Sequence, residues 1–170
     1  MEAATRDASL RPVLVMAGTA LTLYVADQVT KAIVVASVPF GARRDVIGDL
    51  AQLWHVRNDG AAFSILPGAT WLFVPVTLAA IAMVVYFHRQ LRDRSPWIQV
   101  ILGAVLAGAL GNLTDRLRLG YVIDFVSLGI GETRFPTFNV ADSAVVLGIG
   151  ALVAYLTFLD GPRQAAEASQ

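Results

Sequence analysis

Apolar residues fall into four long blocks along this chain, roughly Pro12 to Val38, Thr70 to Phe87, Pro96 to Leu113 and Phe138 to Leu159. At 1.5 Å per helical residue each block is long enough to cross about 30 Å of hydrocarbon. The pattern predicts four membrane-spanning helices, which puts both termini on one side. The polar start ahead of the first block, with Arg6 and Arg11, looks like the front of a signal peptide. The block is longer than a secretory apolar core and carries Asp27 and Lys31, so it is expected to stay as an anchor.

The polar intervals between the blocks are unequal. Residues 39–69 hold short apolar pieces around Leu53-Trp54-His55-Val56 and an Asn58-Asp-Gly60 turn before Ala61-Ala-Phe63. This interval predicts a small β-hairpin or curled sheet at the membrane surface. His88 to Arg94 reads as a tight polar loop. Residues 114–137 contain strand-like Leu119 to Val126, a Gly129-Ile-Gly131 turn and Phe135-Pro136, and they face the same side as residues 39–69. Residues 1–170 therefore read as one integral membrane domain. It is a membrane all-α fold with four transmembrane helices and a small β-rich surface element, its extracytoplasmic segments being about 39–69 and 114–137.

Composition strengthens the membrane reading: 56% of the 170 residues are hydrophobic and 15% charged, and the mean hydropathy is +0.62. A soluble domain carries more charge. With zero net charge and no alternation of basic and aromatic residues, no nucleic-acid partner is expected. Cysteine is absent, which removes disulfides, thiolate metal sites and a cysteine nucleophile together. The two histidines, His55 and His88, do not share a helix face, so no metal is expected and each is assigned to a packing interface. Arginines divide six against six between the two sides, but Arg89, Arg92 and Arg94 crowd one short loop beside two span ends. Short loops weigh most in the positive-inside rule, so the termini are expected to be cytoplasmic.

The polar residues at membrane depth are the candidate chemistry. Asn112 and Asp115 close the third block, and Asn139 and Asp142 open the fourth; both pairs are Asn-x-x-Asp, which places the two side chains on one helix face. Asn112 lies about 22 Å along a helix starting near Trp97, close to the outer surface. Asp142 lies about one turn in from that surface, and Asp124 reaches it from the connector. Two carboxylates held at membrane depth are costly, which points to acid/base chemistry; the alternative is that each merely caps a helix or loop end. A serine–lysine pair combining Lys31 with Ser64, Ser127 or Ser143, and a proton-coupled carrier using the same carboxylates, are the rival chemistries. A carrier more often gathers its polar groups at the bilayer midplane.

Five ordered motifs, Asp27-Gln-Val-Thr-Lys31, Arg57-Asn-Asp-Gly-Ala-Ala-Phe63, Gly111-Asn-Leu-Thr-Asp-Arg116, Val122-Ile-Asp-Phe125 and Phe138-Asn-Val-Ala-Asp-Ser143, resemble those of the lipoprotein signal peptidases, or signal peptidase II. The resemblance covers almost the whole chain. One departure is Asp59, where the family is expected more often to carry a small uncharged residue such as threonine. The resemblance implies an intramembrane aspartyl endopeptidase of the bacterial inner membrane, acting on lipid-modified prolipoproteins just before a diacylglyceryl-cysteine. It implies a catalytic dyad of Asp124 and Asp142 with Asn112, Arg116 and Asn139 as polar groups around it; Asp115, on the helix face of Asn112, is a further site-supporting candidate. Asn58 and Gly60 match the loop that helps cover the substrate. Membrane lipids are the other expected partner; no cofactor is expected, and a monomer is.

Elementary chemistry agrees with that dyad. Two neighbouring carboxylates share a proton, so one serves as base and the other as acid; which of them starts protonated stays open, because the pair titrates as a unit. Asp27 and Lys31, four residues apart, form a candidate structural ion pair. Arg116 either snorkels to headgroups, orients a carboxylate or contacts the lipid of the substrate. Gly103, Ala107 and Gly111 recur every four residues as a close-packing stripe, and Trp54, Trp71 and Trp97 are candidate interface anchors.

Overall fold

The computed structural model describes residues 2–60 and 70–160. Its helices are α1 (Glu2–Ser37), α2 (Thr70–Leu91), α3 (Pro96–Leu119) and α4 (Val140–Ala154), the last continued by a π-helical turn, Tyr155–Asp160. Four segments, Leu10–Ser37, Thr70–Leu91, Pro96–Leu119 and Val140–Phe158, are long and apolar enough to cross a membrane. Over half of the apolar window of α3 is buried, against 11–17% for the others, so α3 is the central post.

Small residues give α3 that place. A Cβ on Gly103 would stand 2.6 Å from the Met16 carbonyl oxygen of α1, and one on Gly111 would stand 2.6 Å from Asp27 Oδ2. Ala107, between them, is almost fully buried. The stripe seen in the sequence therefore seats α1, and Gly108 on the adjacent face does the same for Ala141 of α4. The α2–α3 contact is built on Val84, Leu91, Ile98, Leu102 and Val105, with Tyr155 beneath. His88 Nδ1 lies 2.6 Å from Gln99 Oε1 within that contact, which places this histidine at an interface as expected.

Two connectors form one sheet, with strand order β1 (Arg43–Ile47), β2 (Ala51–Asn58), β3 (Val122–Ile130) and β4 (Thr133–Arg134), all neighbours antiparallel. The pairing of β2 with β3 puts both large connectors at the same end of the bundle. His55 fastens β2 to the end of α1, its Nδ1 being 2.9 Å from the Val38 carbonyl and its ring edge-on to Phe40. Trp71 and Trp97 are exposed near opposite ends of the bundle, and Trp54 lies under the Arg43 guanidinium.

Several sequence-based boundaries need correction. Helix α3 runs to Leu119, so Asn112, Asp115 and Arg116 lie within the helix and the second connector begins at Gly120 rather than Thr114. The helix stops where Gly120 adopts φ 81° and returns its N–H to the Arg116 carbonyl. Helix α2 likewise continues to Leu91, shortening the polar loop. Asn58-Asp-Gly60 is not the turn of a hairpin: β1 and β2 are joined across Gly48, with φ 47°, and Asn58 pairs with Val122 of β3. The turn after β3 falls at Gly131, φ 57°, the last residue of the expected Gly129-Ile-Gly131 turn, while Gly129 and Ile130 still belong to β3. Residues 61–69, the end of the expected first connector, lie outside the described residues, as does Ser64.

Candidate active site

Asp124 enters the site from β3 and Asp142 from the first turn of α4. Val122, Ile123, Asp124 and Phe125 are all buried: the strand packs on α1 and α3 and is flanked by β2 on one edge. The chain then returns: the backbone N–H groups of Phe125 and Val126 donate to the Phe138 carbonyl, and Phe138 N–H donates to the Val126 carbonyl. That return sets Asn139, the N-cap of α4, beside Asp124.

Asn139 holds both carboxylates. Its Nδ2 donates to Asp124 Oδ1 at 2.8 Å and its backbone N–H donates to Asp142 Oδ2 at 3.1 Å. Asp142 N–H in turn donates to Asn139 Oδ1 at 2.8 Å, completing a capping box. The capping alternative is thus half correct: Asp142 caps α4 and also lines the site. Asn58 Nδ2 donates to Asp124 Oδ2 at 2.8 Å, and Asn112 Nδ2 donates to Asp142 Oδ1 at 2.7 Å. All four carboxylate oxygens therefore accept one hydrogen bond each, and each keeps a lone pair for a shared proton, water or substrate.

Behind these groups sits the ion pair expected between Asp27 and Lys31, at 2.8 Å, but it is larger than the sequence suggested. Lys31 also pairs with Asp115 at 2.8 Å and donates to Asn112 Oδ1 at 3.1 Å. Asp27 accepts from the Ala141 N–H and Asp115 from the Ile123 N–H, so the cluster ties α1 and α3 to the residues beside both site carboxylates. Gln28, which the sequence reading passed over, donates to Asp27 at 3.1 Å and to Asp115 at 3.2 Å. Its only advance signal was its place inside the Asp27–Lys31 motif. Among the described residues Lys31 partners Asp27, Asp115 and Asn112, and pairs with neither Ser127 nor Ser143. Ser127 Oγ accepts from Arg134, and Ser143 Oγ donates to the Asn139 carbonyl.

Arg116 is buried rather than snorkelling. It reaches the carbonyls of Asn112 and Gly60, both at 3.4 Å, and lies over the Phe73 ring. Gly60 N–H donates to Asn58 Oδ1 at 3.1 Å, so Asn58-Asp-Gly60 is a side-chain turn that aims the Asn58 amide at Asp124.

The two carboxylates open on a cavity of about 320 Å³ whose other walls include Phe135, Phe138, Val146 and Leu147. Asn58, Asp124 and Pro136 also border a second, more polar cavity of about 380 Å³ toward the sheet, lined by Arg43, Glu132 and Arg134. Asp124 stands at the junction of an apolar and a polar chamber. Its pKa is raised to about 7, by burial first and then by the Asp142 charge, against the hydrogen bonds from Asn58 and Asn139 and the charge of Lys31. Near neutral pH this carboxyl can therefore hold or release a proton.

A family profile described as Signal peptidase (SPase) II matches residues 19–158. The chain is 38% identical over 141 residues to the lipoprotein signal peptidase of Symbiobacterium thermophilum, covering 83% of this chain and 93% of that protein. To the lipoprotein signal peptidase of Leifsonia xyli subsp. xyli it is 40% identical over 167 residues, covering 92% of this chain and 74% of that one. A bacterial membrane enzyme solved by the in meso method at 1.9 Å resolution shares the fold, with a TM-score of 0.72, 33% identity and coverage of 87% and 93% of the two chains.

Proposed function

This chain belongs to the signal peptidase II family, and from that premise we propose that it cuts prolipoproteins before a diacylglyceryl-modified cysteine, with Asp124 and Asp142 as an aspartyl dyad. It is a membrane-embedded protease of the bacterial inner membrane. The observation that carries the mechanism is the pair of carboxylates bridged by Asn139 at the mouth of one cavity.

The dyad holds one proton between its members. The ionised carboxylate takes a proton from water as that water attacks the scissile carbonyl; the protonated carboxyl polarises the carbonyl and then protonates the leaving amine. Asn58, Asn112 and Asn139 keep the acceptor oxygens aimed. The apolar chamber beside Val146 and Leu147 suits the lipid-embedded side of the substrate, and the polar chamber suits the peptide that leaves the membrane.

Purified protein in detergent, with no ion gradient, is expected to cleave a lipidated prolipoprotein. A gradient requirement would turn the reading toward the proton-coupled carrier.

The proposed orientation puts the termini in the cytoplasm and the sheet outside. A cysteine-free chain allows single-cysteine labelling on a clean background. Glu132→Cys is the better outer probe, since Gly131 has φ 57° and would strain a side chain. An impermeant thiol reagent on intact spheroplasts is expected to label Glu132→Cys and to spare Asp93→Cys; the opposite pattern would invert the topology.

A further inference from the structure

The three asparagines around the dyad are oriented by a common device. An amide presents one acceptor and one donor end, and which end faces a carboxylate depends on what occupies the other. Asn58 Oδ1 faces the Gly60 N–H, Asn139 Oδ1 faces the Asp142 N–H, and Asn112 Oδ1 faces the Lys31 ammonium. Each of these partners can only donate. Each asparagine is thereby compelled to turn its NH₂ toward Asp124 or Asp142.

Two of those donors are backbone groups; the third is the only lysine in the chain. Its three hydrogens match three acceptors: Asp27 Oδ2 and Asp115 Oδ2 at 2.8 Å and Asn112 Oδ1 at 3.1 Å. Asn139 Nδ2 also approaches Asn112 Oδ1, at 3.2 Å, but it has two hydrogens for three acceptors, the others being Asp124 Oδ1 at 2.8 Å and the Ile123 carbonyl at 3.2 Å. Its second hydrogen is therefore shared between the Asn112 and Ile123 oxygens, whereas the ammonium offers Asn112 Oδ1 a hydrogen of its own.

Resting on the aspartyl reading above, we infer that Lys31 is a positioning residue for the dyad, acting through the orientation of the Asn112 amide. Without the ammonium, Asn112 is able to turn its carbonyl oxygen onto Asp142. Only a protonated carboxyl can face that oxygen, so the shared proton is held there, pointing away from the cavity. The ion cluster does more than bind helices: it sets where the proton of the dyad sits. Asp27, Lys31, Asp115, Asp124 and Asp142, with buried Arg116, are the charged groups packed around this amide from α1, α3, β3 and α4.

Removing Lys31 alone would leave Asp27 and Asp115 facing each other, so the test is made in a neutral cluster. Asp27→Asn with Asp115→Asn retains a carbonyl oxygen for the Ala141 and Ile123 N–H groups. Lys31→Gln and Lys31→Met are then compared in that background; they are similar in size and differ in whether the tip carries a donor. Similar Tm in detergent and similar KM are expected for both. The Gln variant is expected to keep a kcat about tenfold or more above the Met variant, the loss in the latter being one of geometry at the dyad. Equal kcat at equal Tm would reduce Lys31 to a structural ion and overturn the inference. The same two substitutions in the native background, with kcat normalised to the folded fraction, repeat the comparison should the neutral variants fold poorly. Failure of the unaltered enzyme to cleave the lipidated precursor would count against the aspartyl reading itself, which keeps the two failures distinct.

Discussion

Asp124→Asn and Asp142→Asn are each expected to abolish cleavage of a lipidated prolipoprotein while the protein still inserts and still binds it. The fall in kcat is expected to be about 10⁴-fold or more, since neither member can supply both the base and the acid that the reaction needs. Folding should survive. An asparagine fills the same volume and keeps one acceptor oxygen for the hydrogen bonds that Asn139 and Asn58 make to Asp124, or that Asn112 and Asn139 make to Asp142. Its other end presents an amide to a donor, a mismatch costing about 1–3 kcal/mol of stability. The two variants therefore separate chemistry from folding, and substantial turnover in either would remove the dyad assignment.

The same pair sets a pH limit. Asp124 is raised to about 7, so below that pH it is protonated and above it the carboxyl ionises. If Asp124 carries the shared proton, kcat/KM falls as pH rises through about 7. Asn58→Leu removes a hydrogen bond that favours the ionised form. That substitution should carry the alkaline limb to higher pH, and an unmoved limb would separate Asn58 from the proton of Asp124.

A free-cysteine peptide of the same sequence is expected to be cleaved poorly or not at all beside the diacylglyceryl-modified precursor. The site opens on an apolar chamber whose Val146 and Leu147 are also exposed on the outer surface of α4, where the membrane lies. On the proposed reading, a diacylglyceryl group would partition into the membrane there and hold the adjacent bond at the depth of Asp124 and Asp142. Each buried CH₂ contributes about 0.8 kcal/mol, so two acyl chains outweigh a few peptide contacts. Losing that register should lower kcat/KM by about 10²-fold or more. Matched substrate concentrations in liposomes, followed by mass spectrometry of the released signal peptide, provide the measurement. Equal rates would refute lipid-dependent recognition and leave the aspartyl chemistry untouched.

Much of this protein is legible in its sequence alone. Four apolar blocks dictate four helices because a backbone in hydrocarbon must satisfy its own hydrogen bonds, and length then decides that they can span. The five motifs announced both carboxylates, the three asparagines and the Asp27–Lys31 pair in chain order. At the end of α3, charge was misleading. Asp115 and Arg116 looked like the end of a span, yet the helix continues through both, since Lys31 neutralises Asp115 and Arg116 is buried under the Gly60 carbonyl. Gly120 was the better sign of the terminus.

Only the tertiary structure decided which atom meets which. Asn58 looked like part of a hairpin turn because the strand that pairs with it, β3, lies more than sixty residues further on, beyond the reach of local pattern. Gln28 sits next to Asp27 in sequence, and nothing local shows that its amide spans both Asp27 and Asp115 across two helices. The amide orientations around the dyad depend on contacts between α1, α3, β3 and α4 that close only when the bundle packs. Residue type and spacing determined that carboxylates and amides would gather near one end of the bundle. Packing determined which lone pairs stay open for the reaction, because a hydrogen bond is set by the position of two atoms and not by the identity of two residues.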